Sequence, residues 1–309
     1  MLKNTYTRGI VESQGLASLK VNVFRWISNY DQDKKQIKVF MTSLIAWVGI
    51  DPRGQSSAYI ASDSRFSWDK KDTWDIGQKL FAASNFPEIF GYCGDVTFPS
   101  QILMDCINQI EQNLLIYKGD SVAEKANKIY LHIQKAFEYY PAKHKKGFEI
   151  LYFTRDNCGM QTQFYLHKIK WGIKSDFELE KIDLPEQSGL VDYTGSGKHS
   201  IFQWYRRWQN TEIKGTSRAV FNAFCDSLNS GEDPLTGGAP QLVGLYRKGY
   251  GRSFGVIQDS KRYFYGKLIE QMTNINNIEW RNCLFERCDG QSMKILPKAQ
   301  RQPKPSKLN

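Results

Sequence analysis

The 309-residue chain has no apolar run approaching the roughly 18 residues that a membrane-spanning helix needs. Its opening, MLKNTYTRGIVESQG, lacks the basic-then-apolar order of a secretory signal. These two absences make a cytoplasmic protein with no membrane partner the expectation. Histidine is scarce, at four residues, and the six cysteines (Cys93, Cys106, Cys158, Cys225, Cys283 and Cys288) are scattered singly. Only Cys283 and Cys288 are close in sequence, and no histidine stands near them to complete a zinc site. The thiols therefore read as reduced core filler, and neither a metal nor a cofactor is expected. A surplus of acid is missing too. The formal net charge is +10, which permits binding to nucleic acid, but the excess is spread along the chain and grows at its two ends. A solvated tail explains Lys294, Lys298, Arg301, Lys304 and Lys307 better than a nucleic-acid arm does.

What is present is a regular succession of elements from Thr42 onward. TSLIAWVGI, the turn DPRGQSS and the alternating AYIASDSRFSW predict a strand pair. KLFAAS and EIFGYCG, parted by Asn85-Phe86-Pro87, predict another, so four strands precede any helix. A helix beginning near Pro99 places Ile102, Leu103, Cys106, Ile107, Ile110 and Leu114 on one face. A second, after the N-cap at Asp120-Ser121, stripes Val122, Ala126, Ile129, Tyr130, Ile133 and Phe137. Strands return in FEILYFTRD, QTQFYLHKIKW, FELEKIDL and GLVDYTGSG. Two more helices follow in IFQWYRRWQN and TSRAVFNAFCDSL, then the loop NSGEDPLTGGAP, then strands QLVGLYRK, SFGVIQD and RYFYGKL. With one apolar face per element, this order predicts an α+β fold. Two antiparallel sheets stack face to face with a helical pair on each outer side, a four-layer αββα sandwich over 42–268. Residues 1–41 read as an N-terminal extension, a propeptide or a mis-set start, and 269–309 as a C-terminal extension ending in a basic, disordered tail.

The residues at the strand ends carry the functional signal. TSLIAWVGI, ASDSR, GQKLF, GYCGD, YTGSG and DPLTGG follow one another from Thr42 in the order and approximate spacing of the active-site elements of proteasome β subunits and the bacterial HslV peptidase. The chain thus resembles the N-terminal-nucleophile (Ntn) hydrolases of the proteasome type across its whole core. The chemistry has a physical reason. A threonine hydroxyl is a poor nucleophile and needs an adjacent base. The first residue of a chain has one in its own α-amine, whose pKa near 8 suits neutral pH. The resemblance implies Thr42 as nucleophile, Lys79 as the ammonium that stabilises developing negative charge, and Asp63 as the carboxylate that orients it. It also implies an oxyanion donor at Gly94, and Ser196, Asp233 and Thr236 around the threonine amine, with Thr236 where the family has serine.

Taken singly, each of these motifs is ordinary turn or surface chemistry; their joint order is what speaks. The sequence departs from the family at Asp95, Phe98 and Pro234, and Met41 precedes Thr42 where autoprocessed precursors carry glycine. Thr42 could be exposed by methionine aminopeptidase if translation starts at Met41, or by self-cleavage if it starts at Met1. His144 and His199 read as surface groups, and the cluster Trp204, Tyr205, Trp208 with Arg206 and Arg207 as core and interface rather than a base-stacking site. The leading expectation is a threonine peptidase or amide hydrolase acting on a peptide or protein. By resemblance it forms a homo-oligomeric ring served by an ATP-dependent unfoldase. A non-catalytic ring or scaffold subunit and a nucleic-acid-binding protein are the alternatives.

Overall fold

The computed structural model describes residues 42–68, 72–270 and 274–299; the extension expected over 1–41 and the basic tail beyond 299 lie outside the described residues. In chain order the strands before the first helix are β1 (Ser43–Asp51), β2 (Gly54–Ser62), β3 (Phe66–Ser67), β4 (Thr73–Trp74), β5 (Leu80–Ala82) and β6 (Glu88–Gly94). Helices α1 (Thr97–Glu111) and α2 (Val122–Glu138) follow, then β7 (Phe148–Asp156), β8 (Gln163–Gly172), β9 (Ser175–Ile182) and β10 (Gly189–Gly195). Helices α3 (Lys198–Trp208) and α4 (Ser217–Asn229) lead to β11 (Gln241–Tyr246), β12 (Arg252–Gln258), β13 (Lys261–Phe264) and β14 (Lys267–Leu268). Two short strands close the described chain, β15 (Glu279–Asn282) and β16 (Arg287–Cys288).

One sheet runs β10-β1-β2-β11-β12-β13-β14, and a five-stranded sheet runs β5-β6-β7-β8-β9, with antiparallel neighbours throughout both paths. Successive side chains of a strand point to opposite faces. Strand β1 uses both faces: Leu44, Ala46 and Val48 join a core cluster with Leu80, Ile89, Cys93, Leu151 and Phe153 of the five-stranded sheet. Ile45 and Trp47 join another with Ile201, Val220, Phe221 and Phe224 of α3 and α4. That double burial is why TSLIAWVGI is apolar at nearly every position. On the far side of the five-stranded sheet, Phe90, Tyr92, Ile150 and Tyr152 meet Ile102, Leu103 and Cys106 of α1 and Ile129, Ile133 and Phe137 of α2. Each fully buried large apolar side chain contributes about 1.5–3 kcal/mol.

The ends of the helices follow from local sequence. Ser121 accepts from Glu124 N while the Glu124 side chain accepts from Ser121 N, a capping box that fixes the start of α2 where Asp120-Ser121 predicted it. Helix α1 starts at Thr97, which puts Pro99 in its first turn, where a missing N–H costs little. Trp208 of α3 is buried against Ala219 and Ala223 of α4 and donates to Asp226, with Trp204 and Tyr205 partly buried in the same cluster.

Two expectations are corrected. Six strands rather than four precede the first helix among the described residues. The added pair β3 and β4 has two residues per strand, too few for an alternation to register. The packed core also does not stop near Leu268. Strand β15 runs parallel to β12, pairing Gly255 with Trp280, and both Trp280 and Phe285 are buried. A Cβ at Gly255 would lie 2.2 Å from the Trp280 ring, so this indole rests directly on the β12 backbone.

Candidate active site

Strand pairing brings distant segments to Thr42. In β1, Ser43 pairs with Gly195 of β10, and Leu44 pairs with Ser62 of β2. The residues just beyond β2 and β10 therefore flank the residue just before β1. Asp63 N and Ser62 Oγ both donate to Ser43 O, at 3.2 Å each. Lys79 enters from the other sheet, one residue ahead of β5.

Asp63 and Lys79 are both fully buried. Lys79 Nζ donates to Asp63 Oδ1 at 2.7 Å and to Thr42 Oγ1 at 3.0 Å. The carboxylate is held from four sides: Oδ1 also accepts from Ser43 N (3.0 Å), and Oδ2 accepts from Arg65 N and Gly237 N (3.1 Å each). Burial lowers the Lys79 pKa, and the charge and hydrogen bond of Asp63 oppose that shift. An ammonium so placed can stabilise negative charge forming on Thr42 Oγ1.

On the opposite side, Thr42 N donates to Ser196 Oγ at 3.3 Å. Gly197 N, which opens α3, donates to Thr42 O at 3.4 Å. The two glycines of Gly195-Ser196-Gly197 are required by contact. A Cβ on Gly195 (φ +97°) would sit 1.9 Å from Thr42 O, and one on Gly197 would sit 1.9 Å from Ser43 Oγ. Only a bare backbone brings Ser196 this close.

The third wall is the loop from Asp233 to Gly237. Thr236 donates through N and Oγ1 to Asp233 O (3.2 and 3.3 Å), and Asp233 Oδ1 accepts from Leu235 N. Asp233 Oδ2 is buried with no hydrogen-bond partner among the described residues. Thr236 reaches Gly197, where its Cγ2 would stand 3.3 Å from an added Cβ. Gly94 ends β6 at φ +98° opposite Phe148. Beside it, Cys93 Sγ donates to Thr194 Oγ1 (3.6 Å), which donates to Glu149 (2.6 Å), tying β6 and β7 to β10, the strand that leads into Ser196.

The hydrogen bonds thus join Thr42, Asp63, Lys79 and Ser196 directly and reach Asp233 and Thr236 through Gly237. Gly94 stands apart from them at its strand end. Two participants were not singled out from sequence. Arg65 grips Asp75 with two bonds (2.7 and 2.8 Å) and donates to the carbonyls of Pro234 and Thr236, so it holds the loop. Gln241, fully buried, bonds to Asp63, Gly77 and Lys79 backbone groups. The one sequence signal for it was a polar residue opening the apolar run QLVGLY. His144 and His199 are exposed. Among the described residues no group of three or more His, Cys, Asp and Glu side chains is placed to hold a metal ion, and no helix is long and apolar enough to cross a membrane.

No model of a known protein family matches the chain, and no curated protein matches its sequence. Solved structures are similar to it. Eukaryotic HslV from Trypanosoma brucei shares 12% identity over 66% of this chain and 99% of that one, with a TM-score of 0.40. A Gly-1 mutant of Anbu from Hyphomicrobium sp. strain MC1 shares 12% over 69% and 85%, with a TM-score of 0.46. BPH of Thiobacillus denitrificans, solved in complex with epoxomicin, shares 14% over 67% and 100%, with a TM-score of 0.44.

Proposed function

We propose that this chain is a threonine-type Ntn hydrolase of the proteasome-like kind, cleaving amide bonds of peptides or proteins through an acyl-enzyme on Thr42. The observation that carries the reading is the buried Lys79 ammonium shared between Asp63 and Thr42 Oγ1. On the same reading, the two sheets and their flanking helix pairs are the layers of an αββα sandwich, which the three core clusters support.

Once the Thr42 nitrogen is a free amine, it takes the proton of Oγ1 as that oxygen attacks the substrate carbonyl carbon. Lys79 stabilises the charge at Oγ1, and the Gly94 N–H is the candidate donor to the oxyanion. The tetrahedral intermediate collapses to an ester on Thr42. The amine half leaves with the proton held by the Thr42 ammonium, and water then hydrolyses the ester with the same amine as base. Ser196 Oγ, already bonded to Thr42 N, orients that amine, and Asp233, whose Oδ2 has no hydrogen-bond partner among the described residues, is the candidate second acceptor. A homo-oligomeric ring, an ATP-dependent unfoldase and a cytoplasmic location belong to this proposal through the family resemblance.

The second reading is a scaffold subunit in which the residues before Thr42 stay attached, since a Thr42 nitrogen held in the peptide bond to Met41 is no base. Intact mass of the purified protein and hydrolysis of a fluorogenic peptide amide separate the two. The enzyme reading expects a chain starting at Thr42 and activity that Thr42→Ala abolishes with the fold unchanged. A native chain that keeps the residues before Thr42 and hydrolyses nothing establishes the scaffold.

A further inference from the structure

Gln241 opens β11 opposite Ser62 of β2, and its side chain is fully buried. Nε2 donates to Asp63 O at 3.1 Å and to Gly77 O at 2.7 Å, and Oε1 accepts from Lys79 N at 3.1 Å. One carboxamide thus uses both donors and its acceptor on three backbone groups. Asp63 follows β2 in the larger sheet, whereas Gly77 and Lys79 lead into β5 of the smaller one. The ion pair between Lys79 and Asp63 therefore bridges two sheets, and Gln241 fastens the same two residues at main-chain level.

We propose that Gln241 is a positioning residue for the hydrolysis assigned above. It fixes the separation of the Lys79 and Asp63 backbones so that one ammonium serves both Asp63 Oδ1 and Thr42 Oγ1. This rests on the Ntn-hydrolase reading. A four-carbon lysine stem has many rotamers. What restricts it is the place of its Cα relative to the carboxylate, and Gln241 sets that place. Only an amide can do so, because the site offers two carbonyl acceptors and one N–H donor. The charged and titratable groups acting on Lys79 are Asp63, Cys93 and Asp75.

The test titrates Lys79 directly, by NMR of the lysine ε-carbon in 13C-labelled full-length protein carrying Thr42→Ala, with Lys79→Met to assign the signal. Gln241→Met removes all three bonds and lets the ammonium drift from Asp63, so the Lys79 pKa is expected to fall by about one unit. Gln241→Glu keeps the shape but adds a carboxylate beside the pair, and the pKa is expected to rise. In protein with Thr42 intact, kcat of Gln241→Met is expected to fall about tenfold or more with KM within about twofold, as for loss of an interaction made in the transition state. The alkaline limb of the kcat profile is expected to move down in Gln241→Met and up in Gln241→Glu. An unmoved Lys79 titration in either folded variant overturns the proposal. So does loss of folding in both, which assigns Gln241 to stability alone. If the titration moves as expected while wild-type protein hydrolyses nothing, the positioning role stands and the hydrolase reading fails.

Discussion

At the scale of single residues, the site turns on Lys79. Its burial opposes the charged form, and the charge and hydrogen bond of Asp63 are the largest influences against that shift. Lys79→Ala leaves Asp63 without its cation next to Thr42, which disfavours a developing oxyanion and raises the proton affinity of the Thr42 amine. Turnover of a peptide amide is expected to fall by about 10² or more. Lys79→Arg is expected to rescue little, because a planar guanidinium does not fit a point position enclosed by Asp63, Thr42 and the Phe66 ring, whose centroid lies 5.8 Å from Nζ. A change below about twofold in both variants would remove the electrostatic argument. Thr42, Asp63, Lys79 and Ser196 were legible because each sits in a short motif at a strand end. Gln241 was not, because its partners are backbone groups 162 to 178 residues away in sequence. A side chain that bonds only to the main chain leaves no partner motif to recognise.

At the scale of elements, the site is a set of strand ends held in register, and the loop from Asp233 to Gly237 is the one wall with no strand of its own. Arg65 supplies what the strand ladder does not, bonding Asp75 on one side and the Pro234 and Thr236 carbonyls on the other. The side chains of Arg65 and Asp75 are 24% and 42% exposed, so water screens the ion pair and its share of stability is small. Arg65→Ala is accordingly expected to lower stability by about 1 kcal/mol or less and activity by about tenfold, since the loop positions Asp233 and Thr236. Denaturant unfolding and initial rates on the same preparation check both; equal losses in the two would make the clasp merely structural. The start of α2 was legible because Ser121 and Glu124 satisfy each other within one turn. The pair β3 and β4 was not, because strands of two residues are created by the clasp and by Phe66 packing at a tilt against Trp74 (5.4 Å) rather than by local pattern.

At the scale of the molecule, the succession of strands, two helices, strands, two helices and strands could be read from the apolar pattern of each segment, a continuous run in the doubly buried β1 and an alternation or a stripe elsewhere. Strand β15 escaped because EWRN is four residues long and mostly polar; only its tertiary partner, the bare Gly255, makes room for Trp280. A second tertiary effect governs how the whole fold responds to acid. His167 of β8 is 5% exposed, stacks on Tyr152 at 5.8 Å, and has a buried Nδ1 with no hydrogen-bond partner among the described residues. Burial, with a smaller contribution from the Lys181 charge, lowers its pKa to about 4. In the unfolded chain the same group titrates near 6.5. Between these values the unfolded state holds the extra proton, so the stability owed to neutral His167 is complete above pH about 6.5 and is lost as the pH falls towards 4. From pH 7 to pH 5 the loss is about 2 kcal/mol, at 1.36 kcal/mol per unit. The buried Glu88 has a raised pKa and acts in the opposite sense, so the wild-type curve alone mixes the two. The difference between wild type and His167→Gln isolates the histidine, because Glu88 titrates in both. Urea unfolding at pH 7, 6 and 5 is expected to show wild type losing about 2 kcal/mol more than His167→Gln over that span. Parallel curves would mean that His167 gains its proton without loss of the fold.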